Sequence, residues 1–240
     1  MIARFAAIAV VLLAGPALSD ELVIPPVEYP KVRPYADTPE AFVPEGWKID
    51  LRAEGDLNGD ARPDVALVMR ATDPRNVLAN KGGFGPDPFD SNPRMLLIAF
   101  QQEDGRYSLE LLNNTLIPRA TEPERSDVFE DVDPPAINQG VFRIGLGYFS
   151  SAGGWGMGRK TYTFRHQDGG FMLIGFDSLN VERNSGEMTE VSVNYLTRKM
   201  KLTAARIDSD AQKVRWKALP KRPLLWLPDI GDGLEYDPAP

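Results

Sequence analysis

The stretch KTYTFRHQDGGFMLIGFDS, residues 160–178, decides the fold of this chain. Its two halves, residues 160–166 and 171–178, have the pattern of β-strands, with bulky apolar and β-branched side chains. Between them stands Gln167-Asp168-Gly169-Gly170, whose residue types tolerate the backbone of a tight turn. The stretch therefore predicts a β-hairpin.

The same pattern continues in both directions from this hairpin. Further strands are predicted at residues 47–53, 64–69, 95–100, 107–112, 141–149, 190–196 and 201–207. Residues 64–69 and 95–100 are continuous apolar runs, which favours strands covered on both faces. Because the links are short, neighbouring strands are expected to be antiparallel. We therefore predict an all-β fold, mostly an antiparallel meander, with sandwich-like or barrel-like packing.

Four regions are expected along the chain. Residues 1–19 have the order of a signal peptide: a positive charge at Arg4, an apolar run, and small residues before cleavage near Ser19. Residues 20–46 carry six prolines and predict an extended arm. Residues 47–220 form the β-rich domain and residues 221–240 an acidic C-terminal tail. The mature protein is expected to be secreted or periplasmic.

Composition narrows the function classes. The formal net charge is −7, which argues against nucleic acid as a partner, and no cysteine is present to form a disulfide. Beyond the predicted signal peptide, no stretch reaches the roughly 20 apolar residues of a membrane span. We expect an unknown protein or carbohydrate ligand, with no nucleic-acid partner and no membrane span.

Candidate catalytic groups are few. The single histidine, His166, ends a predicted strand, and no Gly-x-Ser-x-Gly motif accompanies it, so a serine-type triad is not indicated. A carboxylate pair, Asp177 with Glu187 or Glu190, leaves a secreted glycoside hydrolase as the alternative function. The expectation is therefore a binding module more than an enzyme.

The strongest chemical motif is an acidic loop, defined here as residues 56–64. It presents Asp56, Asn58, Asp60 and Asp64 at positions 1, 3, 5 and 9, with a backbone carbonyl expected near Arg62. A hard cation such as Ca²⁺ takes about 6–8 oxygen ligands at such spacing and tolerates irregular geometry. The sequence therefore predicts a Ca²⁺ site, the alternative being a solvated turn without an ion.

This loop resembles the calcium loop of FG-GAP and VCBS-type repeats, in which a DxNxDGxxD sequence leads directly into a strand. The resemblance covers one copy, residues 55–69, and implies that the loop oxygens bind Ca²⁺. Position 6 is Ala61 where that family usually has Gly. Because this position often needs a left-handed backbone, Ala is expected to cost about 1 kcal/mol.

A weaker candidate is a ligand surface formed by Tyr148, Phe149 and Trp155, called the aromatic site below. Trp155 lies in a Gly-rich link, residues 150–158, that joins two predicted strands. Flat aromatic faces suit sugars or partner side chains. The alternative is that Trp155 covers the core beneath a flexible loop.

Overall fold

The computed structural model describes residues 22–238, so the predicted signal peptide lies outside the described residues. The strands are β1 (Tyr35–Ala36), β2 (Trp47–Gly55), β3 (Asp64–Ala71), β4 (Val77–Leu78), β5 (Phe89–Asp90), β6 (Arg94–Gln101), β7 (Tyr107–Asn113), β8 (Ala136–Asn138), β9 (Val141–Phe149), β10 (Gly156–Gln167), β11 (Gly170–Glu182), β12 (Glu187–Asn194), β13 (Lys199–Arg206) and β14 (Ser209–Ala218). Short 3-10 helices span Pro39–Phe42, Pro74–Asn76 and Leu227–Ile230.

The strands form two main antiparallel sheets. One has five strands in the order β1-β7-β6-β3-β2, and the other has seven in the order β14-β13-β12-β11-β10-β9-β8. β4 and β5 pair separately. Since the seven-stranded sheet follows chain order throughout, the predicted meander and the all-β fold class are confirmed. None of the helices in residues 22–238 has the length and apolar character needed to cross a lipid bilayer.

The β10–β11 hairpin is built as its sequence predicts. Gln167 pairs with Gly170, and Asp168 and Gly169 between them have φ values of +53° and +81°. Two consecutive left-handed residues give the turn twist that matches a right-twisted hairpin. Asp tolerates this backbone better than most residues and Gly tolerates it freely, which explains the choice of residues.

The main core lies between the two sheets. Alternate residues of β6, such as Leu96 and Ile98, are buried in the same cluster as Ile144 of β9 and Tyr162 and Phe164 of β10. The opposite face of the five-stranded sheet buries a second cluster that includes Leu67, Met69 and Leu97. Tyr29 and Val32 of the Pro-rich arm pack against this second cluster, together with the buried Phe42. β3 and β6 are therefore covered on both faces.

The C-terminal segment belongs to the main core. Leu227 and Ile230 are buried in it, and the ring of Tyr236 packs against Tyr162 in a tilted arrangement and against Phe176 edge to face. The hydroxyl of Tyr162 donates to the carbonyl of Gly233, whose own N–H donates to Leu116 O at 3.0 Å. Residues 225–236 therefore pack against β10 and β11 and complete the main core there.

Candidate functional site

The acidic loop joins β2 to β3 and is fixed at both ends by Asp64. This carboxylate is fully buried, and it accepts hydrogen bonds from Leu57 N at 2.8 Å and from Gln101 N at 3.0 Å. Leu57 is itself buried in the main core. Asp64 therefore connects the start of the loop, the start of β3 and the end of β6.

The remaining loop backbone is curled around Asp56 and Asn58. Asp56 Oδ1 accepts from Gly59 N at 2.6 Å, and Asp56 Oδ2 accepts from Ala61 N at 2.9 Å. Asn58 Oδ1 accepts from Asp60 N at 3.0 Å. Ala61 has φ +66°, in the left-handed region that favours glycine, so the strain expected from the sequence is present.

Asp60 is paired with Arg62. Its Oδ1 accepts from Arg62 N at 2.9 Å, while its Oδ2 accepts from the Arg62 guanidinium and from Asn58 Nδ2. Burial opposes ionisation of Asp60, but these hydrogen bonds and the Arg62 charge outweigh it and lower its pKa. Desolvation raises the pKa of Asp64, and the nearby charges of Asp60 and Asp56 act in the same direction. The loop therefore favours added positive charge.

The acidic loop offers a donor set whose chemistry can be compared with the needs of a hard divalent cation. Within residues 22–238, no group of three or more acidic, histidine or cysteine side chains converges as a metal site. The donors are nevertheless all oxygens, and each oxygen of Asp56, like Asn58 Oδ1, has one lone pair beyond the hydrogen bond described. Asp60 Oδ2 is engaged twice, so a cation there would compete with Arg62. The residues fit Ca²⁺ in donor chemistry and backbone path.

The aromatic site lies where β9 ends and β10 begins, in the seven-stranded sheet. Tyr148 pairs with Gly158 across β9 and β10, and a Cβ at Gly158 would lie 1.9 Å from Leu179 O, so only glycine fits there. The hydroxyl of Tyr148 donates to Asn180 Oδ1 at 2.6 Å. Burial raises the pKa of Tyr148, and the charge of Glu182 adds to this effect.

Arg183 holds the Gly-rich link in place. Its guanidinium lies 4.4 Å from the ring centroid of Phe149 and 5.8 Å from that of Trp155. It also donates to the carbonyl oxygens of Ser150, Gly154 and Trp155. Trp155 is 60 % exposed and Phe149 is 37 % exposed. Trp155 therefore stands on a fixed loop facing solvent.

Open cavities lie beside Tyr148 and Phe149, and the described lining residues of these cavities do not include Trp155. Cavities of about 270, 300 and 480 Å³ all include Tyr148 in their walls. The largest lies beside Phe149 and is rimmed by charged residues, namely Glu122, Glu124, Arg125, Lys160 and Glu235. Lys160 donates to the carbonyls of Leu234 and Tyr236, and desolvation lowers its pKa. An apolar ring beside mixed hydrogen-bonding groups suits a polar, ring-shaped ligand.

The candidate catalytic residues fall in different places. Asp177 and Glu190 line one small cavity of about 150 Å³ on the outer face of the seven-stranded sheet, together with Arg159. Glu187 pairs with Glu182 and Arg206 at the other end of β12. His166 packs against the rings of Phe100 and Phe171, at centroid distances of 4.9 and 5.3 Å.

Comparison with family models, curated proteins and solved structures finds no match for this chain. Sequence reasoning missed Arg183 and Asn180, because neither belongs to a motif. Their roles follow from the pairing of β10 with β11, which brings residue 180 beside residue 158.

Proposed function

We propose that this protein is an exported, calcium-binding β domain that acts as a binding module, with a carbohydrate or protein ligand held at the aromatic site. The observation that supports this function most directly is the set of contacts, called the Arg183 clamp below, that Arg183 makes with the Gly-rich link and with the rings of Phe149 and Trp155. A tryptophan that is 60 % exposed costs hydration free energy, and here its loop is fixed by three hydrogen bonds from one guanidinium. Preorganised aromatic surface lowers the entropic cost of binding.

A carbohydrate fits this surface better than an apolar ligand. Sugar rings present C–H faces for stacking on indole and phenol rings, and their hydroxyl groups need both donors and acceptors. The largest cavity offers acceptors at Glu124 and Glu235 and the Glu122–Arg125 ion pair, and Lys160 keeps one N–H beyond those that it donates to Leu234 and Tyr236. Mixed charges of this kind suit neutral, hydroxyl-rich ligands.

The test is a glycan-binding screen followed by titration of tryptophan fluorescence. Trp155→Ala is expected to weaken binding at least tenfold, since truncation of a central aromatic residue commonly costs about 2 kcal/mol or more. Trp216→Ala is the matched control, because Trp216 is 66 % exposed on β14, away from the cavities described. Equal affinity of the wild type and Trp155→Ala for every ligand found would reject this site.

The acidic loop is proposed to bind Ca²⁺ through Asp56, Asn58, Asp60, the carbonyl of Arg62 and Asp64. Ca²⁺ would supply the positive charge that these carboxylates lack and would stiffen the link between β2 and β3. Calorimetry on chelator-treated protein is expected to detect binding at millimolar Ca²⁺ or below. The melting temperature should rise in parallel, because binding to the native state alone stabilises it.

Two variants in the acidic loop distinguish Ca²⁺ binding at this loop from a general attraction of Ca²⁺ to the negatively charged protein. Arg62→Gln is expected to tighten Ca²⁺ binding, since Arg62 occupies Asp60 Oδ2. Asp60→Asn is expected to weaken Ca²⁺ binding, since it removes one proposed ligand charge. Asp104→Asn is its matched control, because Asp104 makes the same short-range pair with Arg106 in a turn. Absence of any heat of binding or thermal shift at millimolar Ca²⁺ would exclude the calcium site.

The alternative, a secreted glycoside hydrolase, is favoured by one observation: Asp177 and Glu190 share a cavity. Glycosidases need two carboxyl groups flanking a bond. A screen of glycoside substrates tests this alternative, with Asp177→Asn expected to abolish any turnover. His166→Ala is the control, and turnover that depends on His166 in place of the carboxylates would contradict this assignment.

A further inference from the structure

A further cavity lies between β11, the turn after β12 and the C-terminal segment, and none of the functions above uses it. Its volume is about 200 Å³. Four separate parts of the chain build its walls: Leu173 of β11, the turn between β12 and β13, the link after β14, and the C-terminal segment. A pocket assembled from such distant segments exists only in the folded protein.

The floor and sides of this cavity are apolar. Leu173 is buried at the bottom, and its N–H donates to Leu225 O at 2.8 Å, which joins β11 to the link. Leu219, Leu224 and Leu225 form further apolar wall, and Leu225 remains 40 % exposed. Pro220, Pro223 and Pro238 also line the cavity and offer no backbone N–H. The walls therefore accept an apolar body and provide few backbone donors.

The polar groups of the cavity are mainly donors. Arg198 and Arg222 both line it, and within residues 22–238 no ion pair joins either guanidinium to a carboxylate. Tyr195 and Tyr236 share a hydrogen bond between their hydroxyls at 2.6 Å, so one hydroxyl hydrogen of the pair is left to donate elsewhere. Among the described residues that line the cavity, Asp237 is the one with a carboxylate side chain.

We propose that this cavity binds a small amphipathic carboxylate, with its apolar chain against Leu173, Leu219 and Leu225 and its carboxylate at Arg198 and Arg222. Two guanidinium groups against one carboxylate leave a local positive charge on a protein whose formal net charge is −7. A carboxylate matches the planar donor fork of arginine. The volume of about 200 Å³ lies below the range of drug-sized ligand pockets, so a small ligand is expected.

The experiment compares octanoate with 1-octanol by isothermal titration calorimetry. Octanoate is expected to bind with a dissociation constant in the millimolar range or below, and at least tenfold more tightly than 1-octanol, which has the same chain without the charge. Equal affinities for the two ligands, or no binding of octanoate at millimolar concentration, would overturn the proposal.

Charge variants locate the carboxylate. Arg198→Gln and Arg222→Gln are each expected to weaken octanoate binding about threefold, and about tenfold in combination, since exposed ion pairs are individually weak. Both residues are exposed, so unchanged melting temperatures should show that the variants fold. Arg215→Gln, on β14 outside the cavity, and Trp155→Ala are expected to leave octanoate affinity unchanged. Wild-type affinity in the double variant would also overturn the proposal.

Discussion

β6 and β14 are both strands of antiparallel sheets, yet they lie in opposite environments. Residues 95–99 of β6 are almost wholly without solvent contact, with a core on each face. Every residue of β14 is exposed, and β14 pairs only with β13 at the edge of its sheet. The backbone geometry is similar, so the difference in environment comes from what covers the two faces. Coverage, more than sheet pairing, determines how much a strand stabilises the fold.

The exposed strand has a charge pattern that suits its position. Lys213, Arg215 and Lys217 alternate with Val214 and Trp216 along β14. Because an edge strand offers unpaired backbone groups, repeated positive charge hinders pairing with a second copy of itself. These charges therefore protect the exposed edge strand β14 from aggregation by strand pairing.

The largest loss of stability is expected from a substitution in β6, the strand that is covered on both faces. Leu97→Ala removes a side chain with 0 % exposure from the second core, so it is expected to lower the free energy of unfolding by about 2–5 kcal/mol. Val214→Ala on β14 is the counterpart, with an expected change within about 0.5 kcal/mol. Urea denaturation measures both, and equal losses at the two positions would refute the role given to coverage.

A smaller effect is expected where the C-terminal segment meets the sheet. Tyr162→Phe leaves the carbonyl of Gly233 without its buried donor, which is expected to cost about 1–3 kcal/mol in the same denaturation experiment. Burial raises the pKa of Tyr162, so the hydroxyl is a neutral donor at every physiological pH. Tyr35→Phe, at an exposed tyrosine of β1, is the control; a similar loss there would contradict the explanation.

Acid is expected to lower the free energy of unfolding by weakening the ion pairs of Arg94 at the start of β6. The buried guanidinium of Arg94 donates to Asp50 at 2.6 Å and to Asp127 at 2.7 Å. Burial opposes ionisation of Asp127, but Arg94 and the N–H of Phe129 outweigh it, so the pKa of Asp127 is lowered. A lowered folded-state pKa contributes stability that is present above the unfolded value, about 3.9, and is lost as pH falls through the folded value.

Urea midpoints measured between pH 7 and pH 2.5 test this linkage. The wild type is expected to lose stability more steeply below about pH 4 than Asp127→Asn, which has no carboxyl group to protonate at this position. Asp208→Asn provides a control, because Asp208 pairs with Arg206 in an exposed turn beside β14. Identical pH profiles for the wild type and Asp127→Asn would exclude the linkage.

The smallest effect is expected in β13, the strand next to the exposed edge strand β14. Thr203 of β13 pairs with Val214 of β14 and is buried, and its hydroxyl has no hydrogen-bond partner within the described residues. Thr203→Val is therefore expected to be neutral or to stabilise the protein by up to about 1 kcal/mol. Thr189→Val, at an exposed position of β12, is the control. A clear destabilisation by Thr203→Val would show that the hydroxyl is satisfied in solution.

The sequence predicted those features that depend on local pattern. The strand periodicity gave β6, β9, β10 and β11, and the turn residues Asp168 and Gly169 gave the hairpin. The shortest strands, β1, β4, β5 and β8, were not predicted, because two or three residues are too few to show a period. The packing of residues 225–236 into the core was also missed, because it depends on contacts distant in sequence.

The sites divide in the same way. The acidic loop could be identified from the sequence because its oxygen donors lie within nine residues, and Ala61 has the left-handed backbone expected of its position, while Ca²⁺ binding stays a prediction. The Arg183 clamp could not be predicted, because Arg183 reaches Trp155 only through the long β10–β11 pairing. The cavity beside Arg198 and Arg222 was likewise missed, since its walls come from four separate segments.

The location of Leu227 and Ile230 in the main core has a consequence for the order of events during synthesis. When β14 has been synthesised, all the described strands are present in the growing chain, yet Leu227 and Ile230 of the main core are still missing. Cooperative folding therefore has to wait until these last segments emerge. A chain that ends before residue 225 lacks these side chains and is therefore expected to remain loosely packed.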